Sequence, residues 1–190
     1  VDTYKPEVMR AVLDLGADIV NDIWALQQPG ALEAVANHPR AGVCLMHMHR
    51  DPQTMQAAPM EGSILDEVRA FLLARAEALT SRGVEPARIA LDPGVGFGKT
   101  VAQNFSLLAR QDVFLSTGFA ILTGWSRKSS IGAVTGHSQP LDRVAGSVAA
   151  ACCWLAARAA ASAGDTLASW AACQGCCTVA CTRQDWAGGA

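Results

Sequence analysis

Five places in this sequence carry groups suited to gripping a flat polar ligand: Asp2, Asn21, Met46 with His47, Asp92, and Ser126-Arg127-Lys128-Ser129. Each falls where a short apolar run gives way to a loop. Two carboxylates, a carboxamide and a lysine converging on one face offer several donors and acceptors in one plane. A buried carboxylate accepts two parallel hydrogen bonds, which suits an edge presenting N–H and NH2 side by side. Taken singly, each residue has an ordinary alternative: Asp92 as a capping or loop acid, Lys128 as a surface lysine. Their shared register is what points to a site.

Asp92 has the most distinctive surroundings. Ile89-Ala90-Leu91 ends on it, and Pro93-Gly94-Val95-Gly96-Phe97-Gly98-Lys99-Thr100 follows before a helical pattern resumes at Val101. Glycine lets the backbone approach a flat ligand and adopt φ > 0 without strain. Two phosphate-binding readings fail on spacing. A Walker A loop needs glycine where Pro93 stands, and a dinucleotide fingerprint needs its third glycine where Lys99 stands. His47-Met48-His49 admits a metal pair, since i and i+2 share a face of a strand, or one packed histidine beside a loop histidine.

These groups must be positioned by regular elements, and the chain supplies them in alternation. Val1-Asp2-Thr3 reads as the end of a strand. Pro6 then opens a helix with a Val8, Met9, Val12, Leu15 stripe closed by Gly16. Residues 18–23 form a second strand, 30–37 a short helix, and 41–48 a nearly all-apolar third strand. Ser63 with Asp66 resembles a capping box for a long helix carrying Leu65, Val68, Leu72, Ala76 and Leu79, closed by Gly83. Residues 89–92 make a fourth strand, 103–110 a helix, 118–124 a fifth strand, and a further helix starts near Leu141. Such alternation requires a parallel sheet with helical crossovers, whose strands present their carboxyl ends on one face.

Composition narrows the function classes. The 190 residues suit one domain or part of a larger one, and 51% apolar content is ample for a core. A net charge of −2 argues against the clustered cations of a nucleic-acid footprint. No uncharged run of eighteen apolar residues and no signal-peptide pattern is visible. Val1, met in mid-pattern, reads as the edge of a fragment. Of seven cysteines, only Cys44 precedes residue 152. Cys173 and Cys176 have metal-ligand spacing, but no histidine follows His137, so the segment reads as an atypical tail rather than a zinc or disulfide framework.

Val1-Asp2-Thr3-Tyr4-Lys5-Pro6-Glu7, Asn21-Asp22-Ile23, Cys44-Leu45-Met46-His47-Met48, Pro52-Gln53-Thr54-Met55-Gln56, the loop from Leu91 to Lys99 and Ser126-Arg127-Lys128-Ser129 together resemble the dihydropteroate synthase family. The likeness runs from Val1 to about Ala151, in the family's order. It implies part of a pterin-binding TIM (β/α)8 barrel, about strands 3–7, over residues 1–151, with residues 152–190 as an atypical segment. It also implies a cytoplasmic, homodimeric, Mg2+-using transferase of folate synthesis, the target of sulfonamides. Such enzymes join p-aminobenzoate to 6-hydroxymethyl-7,8-dihydropterin diphosphate and expel pyrophosphate. By resemblance, Asp92 and Asn21 hold the pterin's amide edge, and Asp2 favours the positive charge that develops as diphosphate leaves. Met46, Gly96 and Phe97 wall the ring, Lys128 reaches the pterin, and Ser129 lies toward p-aminobenzoate.

Three departures from that pattern stand out. The family's first two strands, with an Asn metal ligand, a mobile Asp-Ser-Phe-Ser loop and a Thr-Arg-Pro-Gly loop, have no counterpart, so no metal ligand is expected here. The Arg-x-His triplet of the eighth strand is absent after Ser147. From about Cys152 the composition turns to Ala, Cys, Trp, Gly and Arg, the residues of GC-rich codons, as an out-of-frame or genuinely different segment would. The alternatives are a pterin-dependent methyltransferase domain, against which Ser126-Arg127-Lys128-Ser129 argues, and a non-catalytic pterin-binding fragment.

Overall fold

The structure is a computed structural model that describes residues 1–51, 54–55, 59–161 and 179–181. Four parallel strands, β1 (Ile19–Asp22), β2 (Gly42–Met46), β3 (Ile89–Asp92) and β4 (Ala120–Gly124), lie side by side in chain order. A fifth parallel pass precedes them. Asp2 bridges to Asn21, with Asn21 N–H donating to Val1 O at 2.8 Å and Thr3 N–H to Asn21 O at 3.0 Å. The crossovers are helical: α1 (Pro6–Asp14), α2 (Ala31–Ala36), α3 (Leu65–Thr80), then α4 (Val101–Ala109) with α5 (Asp112–Leu115). After β4 come α6 (Ser129–Thr135), a 3-10 turn at Pro140–Arg143, and α7 (Val144–Ala161). The expected succession of parallel βα units is therefore what forms.

Strand alternation assigns the two faces of the sheet. Val20, Val43, Leu45, Ile89, Leu91 and Ile121 share one face and join a core with Met9, Leu13, Val35, Val68, Leu72, Leu79, Leu107 and Phe114 from the helices. Each such side chain, once buried, contributes about 1.5–3 kcal/mol, so this interface dominates the fold's stability. The other face carries Cys44, Ala90 and Ala120, small residues that pack together as a barrel interior requires. One step along, the same face carries Met46 beside Asp92. Register thus delivers the polar residues to the interior at its carboxyl end.

Local details differ from expectation in three places. In α1 the buried pair is Met9 and Leu13, while Leu15 is 87% exposed because the helix ends at Asp14 and Leu15 caps it. Ser63 and Asp66 do not form a capping box. Buried Ile64 occupies the N-cap of α3, and its packing sets the helix entry. The reciprocal box sits on α4 instead, where Gln103 N–H donates to Thr100 Oγ1 at 3.2 Å and Thr100 N–H to Gln103 Oε1 at 2.9 Å. Finally, β5 (Val179–Cys181) lies antiparallel on the open edge of β4, within the segment read from the sequence as an atypical tail. An edge strand's unpaired N–H and C=O groups accept such a partner whatever its side chains. Helix α7 runs without interruption through residues 151 and 152. Cys173, Cys176 and Cys177 lie outside the described residues.

Candidate active site

Asp92 is the last residue of β3, beside Met46 of β2, and only 7% exposed. Its Oδ1 accepts the Gly94 N–H at 2.7 Å. Burial is the main influence on this carboxyl and lifts its pKa to about 6, against the opposing pull of the Gly94 bond and the Lys128 and Lys99 cations. The carboxylate is held to charge only by its neighbours, so a ligand donating to it gains more than it would in water.

The loop after β3 turns on Gly94, Gly96 and Gly98, with φ of 69°, 84° and 72°. A side chain at Gly94 would also collide with the backbone, since its Cβ would lie 1.9 Å from His47 O. Gly16 has a comparable φ of +94°, with nothing within 4 Å of the place a Cβ would take. Gly16→Ala should therefore cost about 1 kcal/mol from φ alone, whereas Gly94→Ala should cost about 3 kcal/mol or more because the β2–loop contact must open. Paired denaturant titrations check this; equal losses would show that the loop relaxes freely.

Lys99 lies beneath that loop, 5% exposed. Its Nζ donates to Gly94 O at 2.9 Å, Phe97 O at 3.2 Å and His47 O at 3.3 Å, and lies 3.0 Å from His47 Nδ1. Burial lowers its pKa to about 7, with Asp92 pulling the other way. Burial and the Lys99 charge also bring His47 down to about 3, so its ring stays neutral, edge-on to Phe71. Between about pH 7 and 10.5 the unfolded chain holds a lysine proton that the folded chain has released, so Lys99 makes stability rise with pH across that window. The rise is up to about 4 kcal/mol. Denaturation midpoints at pH 7 and pH 10 should show it in the parent chain and not in Lys99→Met; parallel slopes would disprove it.

Lys128 stands at the N-cap of α6, its Nζ 4.4 Å from the centroid of the Phe97 ring. Its stem packs on Gly96, where an added Cβ would lie 3.2 Å from Lys128 Cδ. Helix α7 and the 3-10 turn before it hold this loop in place: Arg127 N–H donates to Ser147 Oγ at 2.8 Å, and Arg143 Nη1 to Arg127 O at 3.0 Å. Asn104, 1% exposed, joins the two loops by accepting from Gly96 N–H at 2.9 Å and donating to Ser130 Oγ at 2.8 Å. Ser129 is exposed at the start of α6, and its neighbour Ser130 is the buried serine.

On the opposite side, Asn21 Nδ2 donates to the exposed Asp2 at 3.3 Å. Asn21 Oδ1 is buried without a partner among the described residues. Asp22 points the other way along the strand and organises the following loop. It accepts from Trp24 N–H at 2.9 Å and Leu26 N–H at 2.8 Å. Arg75 of α3 binds Ala25 O at 2.8 Å and Leu26 O at 3.0 Å, holding two consecutive positive-φ residues. Burial raises the Asp22 carboxyl's pKa.

The site residues expected from the sequence thus lie on strand ends or the loops that follow them, except Ser129, the first residue of α6. Those it overlooked are Lys99, Asn104, Arg143 and Ser147, which support the loops. A lone lysine directly after a glycine turn was the one visible signal. His47 and His49 do not converge on a metal: one meets Lys99, and the other's Nε2 accepts from Arg50 at 3.2 Å. Among the described residues no group of three His, Cys, Asp or Glu is placed to hold a metal ion. Of the Pro52 to Gln56 motif, only Thr54 and Met55 are described.

Successive βα units with carboxylate, amide and ammonium groups around the strand carboxyl ends define a protein of the (β/α)8-barrel class with a small-molecule site. A family profile described as pterin binding enzyme matches residues 1–164. The chain belongs to that family. It is 44% identical over 151 residues to dihydropteroate synthase of Escherichia coli (strain K12), covering 80% of this chain and 53% of that protein. Against dihydropteroate synthase of Neisseria meningitidis serogroup B it is 43% identical over 155 residues, with 80% and 54% coverage. Dihydropteroate synthase from Stenotrophomonas maltophilia superposes with a TM-score of 0.77 at 46% identity, covering 80% of this chain and 57% of that one. The Burkholderia cenocepacia enzyme complexed with 7,8-dihydropteroate gives 0.73 at 50% identity, with 82% and 57% coverage. The chain spans about half the length of the curated relatives it matches.

Proposed function

We propose that this chain binds the pterin ring of 6-hydroxymethyl-7,8-dihydropterin diphosphate and supplies the pterin half of a dihydropteroate synthase site. The observation that carries this reading is Asp92, buried and facing Lys128 at the end of the barrel interior. Asp92 accepts the ring's adjacent N–H and NH2 groups, and Asn21 Oδ1, which has no partner among the described residues, takes a further donor. Met46 and Phe97 flank the ring, while Lys128 faces its acceptor side. Solved relatives support the assignment of substrates: one holds 7,8-dihydropteroate and another 4-aminobenzoic acid.

In the reaction the amine of p-aminobenzoate attacks the exocyclic methylene carbon. A C–N bond forms, the C–O bond to diphosphate breaks with its electron pair leaving as pyrophosphate, and the amine gives up one proton. Positive charge gathers on the methylene as diphosphate departs, and Asp2 favours it electrostatically. Ser129, exposed at the start of α6, lies toward p-aminobenzoate, the position that a sulfonamide would contest. Mg2+, where the reaction uses it, would be carried chiefly by the substrate's diphosphate and would supply charge neutralisation to the leaving group. We place residues 1–151 as the pterin-binding portion, in a cytoplasmic setting. The exposed Val134, Leu141, Val144 and Val148 support pairing with a second copy. Among the described residues no helix is long and apolar enough to cross a membrane.

Isothermal calorimetry with 6-hydroxymethylpterin tests the reading. Saturable binding at one site per chain is expected, and no heat of binding at any concentration up to the pterin's solubility would reject it.

A further inference from the structure

We propose that Lys99 is a positioning residue: its ammonium ties the end of β2 to the glycine loop after β3 and keeps Asp92 in the ionised form that receives the pterin. The inference rests on the pterin reading for the identity of the ligand, while the coupling of Lys99 to Asp92 stands on the chain's own geometry. Four polar atoms surround Nζ: His47 Nδ1, His47 O, Gly94 O and Phe97 O, all within 3.3 Å. Three of these are backbone carbonyl oxygens, which match the three N–H donors of an ammonium, whereas an amine has two and leaves a carbonyl unserved.

The cage joins the parts of the site that must stay in register. His47 follows Met46 directly, and its N–H donates to Asp92 O at 2.9 Å. Gly94 also donates to the Asp92 carboxylate, and Phe97 is the ring beneath Lys128. One buried cation therefore fixes the floor, the acid and the wall together. The charged groups around it are Asp92 from β3 and Lys128 from the loop after β4. His47, from the end of β2, is neutral, and Asp2 reaches Asp92 from the first pass of the sheet. Burial works to protonate Asp92, and the Gly94 N–H, Lys128 and Lys99 oppose it. Removing Lys99 leaves one cation fewer against burial.

The test is pterin affinity as a function of pH in the 190-residue chain and in Lys99→Met, which keeps the length and removes the charge. Affinity for 6-hydroxymethylpterin falls as pH drops through the Asp92 titration. In Lys99→Met that fall should begin about 1 pH unit higher, with about fivefold weaker binding near pH 6. A residue that only props the loop would weaken binding equally at every pH, and an unmoved midpoint overturns the proposal. Carbon-13 NMR of the Asp92 carboxyl without ligand reads the same midpoint independently of pterin. Should the parent chain bind no pterin, the pterin reading fails, and the carboxyl midpoint still decides the coupling. If Lys99→Met does not fold, the Lys99 Cε signal of the parent chain must show an inflection at the Asp92 midpoint; a curve without one overturns the proposal.

Discussion

Pterin affinity should fall at least tenfold when Asp92 is replaced by alanine. The ring's adjacent N–H groups would then be unpaired in a dry pocket, a loss of about 2–5 kcal/mol. Asp92→Asn separates this from misfolding. An asparagine carbonyl can still accept the Gly94 N–H that Asp92 holds at 2.7 Å, but its amide presents donors toward the ligand's donors. The variant should also be no less stable at pH 7. A carboxyl whose pKa is raised to about 6 in the folded chain, from 3.8, disfavours folding above that window, because the unfolded chain sheds its proton earlier. Calorimetry beside a thermal melt checks both parts. Full affinity in Asp92→Asn would remove Asp92 from the site, whatever the melt shows.

Turnover of the 190-residue polypeptide should lie at least a hundredfold below that of its Escherichia coli relative. A barrel site draws residues from the ends of several strands. Among the described residues four parallel strands and the pass at Asp2 furnish them. No Arg-x-His triplet follows Ser147, so the departing diphosphate lacks the cation that the family resemblance assigns to the eighth strand. Losing one preorganised charge contact costs about 10²–10³ in rate. The edge of β4 carries an antiparallel strand, Val179–Cys181, where a barrel would continue in parallel. Dihydropteroate formation with Mg2+ and both substrates, followed beside pterin binding, checks the expectation. Normal turnover would mean that other groups of the chain replace the missing cation; binding with slow or no turnover is the expected pair of results.

Much of this arrangement was legible in the sequence because it depends on short-range patterns. Apolar runs ending at Asn21, Met46, Asp92 and Gly124 marked the strands, and intervening amphipathic runs required parallel pairing. Parallel pairing alone sends every strand's carboxyl end to one side, so the site residues could be chosen before any contact was known. What the tertiary structure decided is how those residues are held. Lys99 reaches back to His47, fifty-two positions earlier, and Asn104 to Ser130 across another crossover. Arg75 closes on Ala25 and Leu26, and Ser147 on Arg127. None of these pairs has a periodic signature, because each joins elements far apart in the chain whose separation is set by helix packing rather than by strand register. The capping box moved from Ser63 to Thr100 for the same reason: the burial of Ile64 outweighed a local polar pattern. Local pattern determined which groups gather at the strand carboxyl ends, and long-range packing decided how Asp92 is buried and which groups hold the loop that follows it.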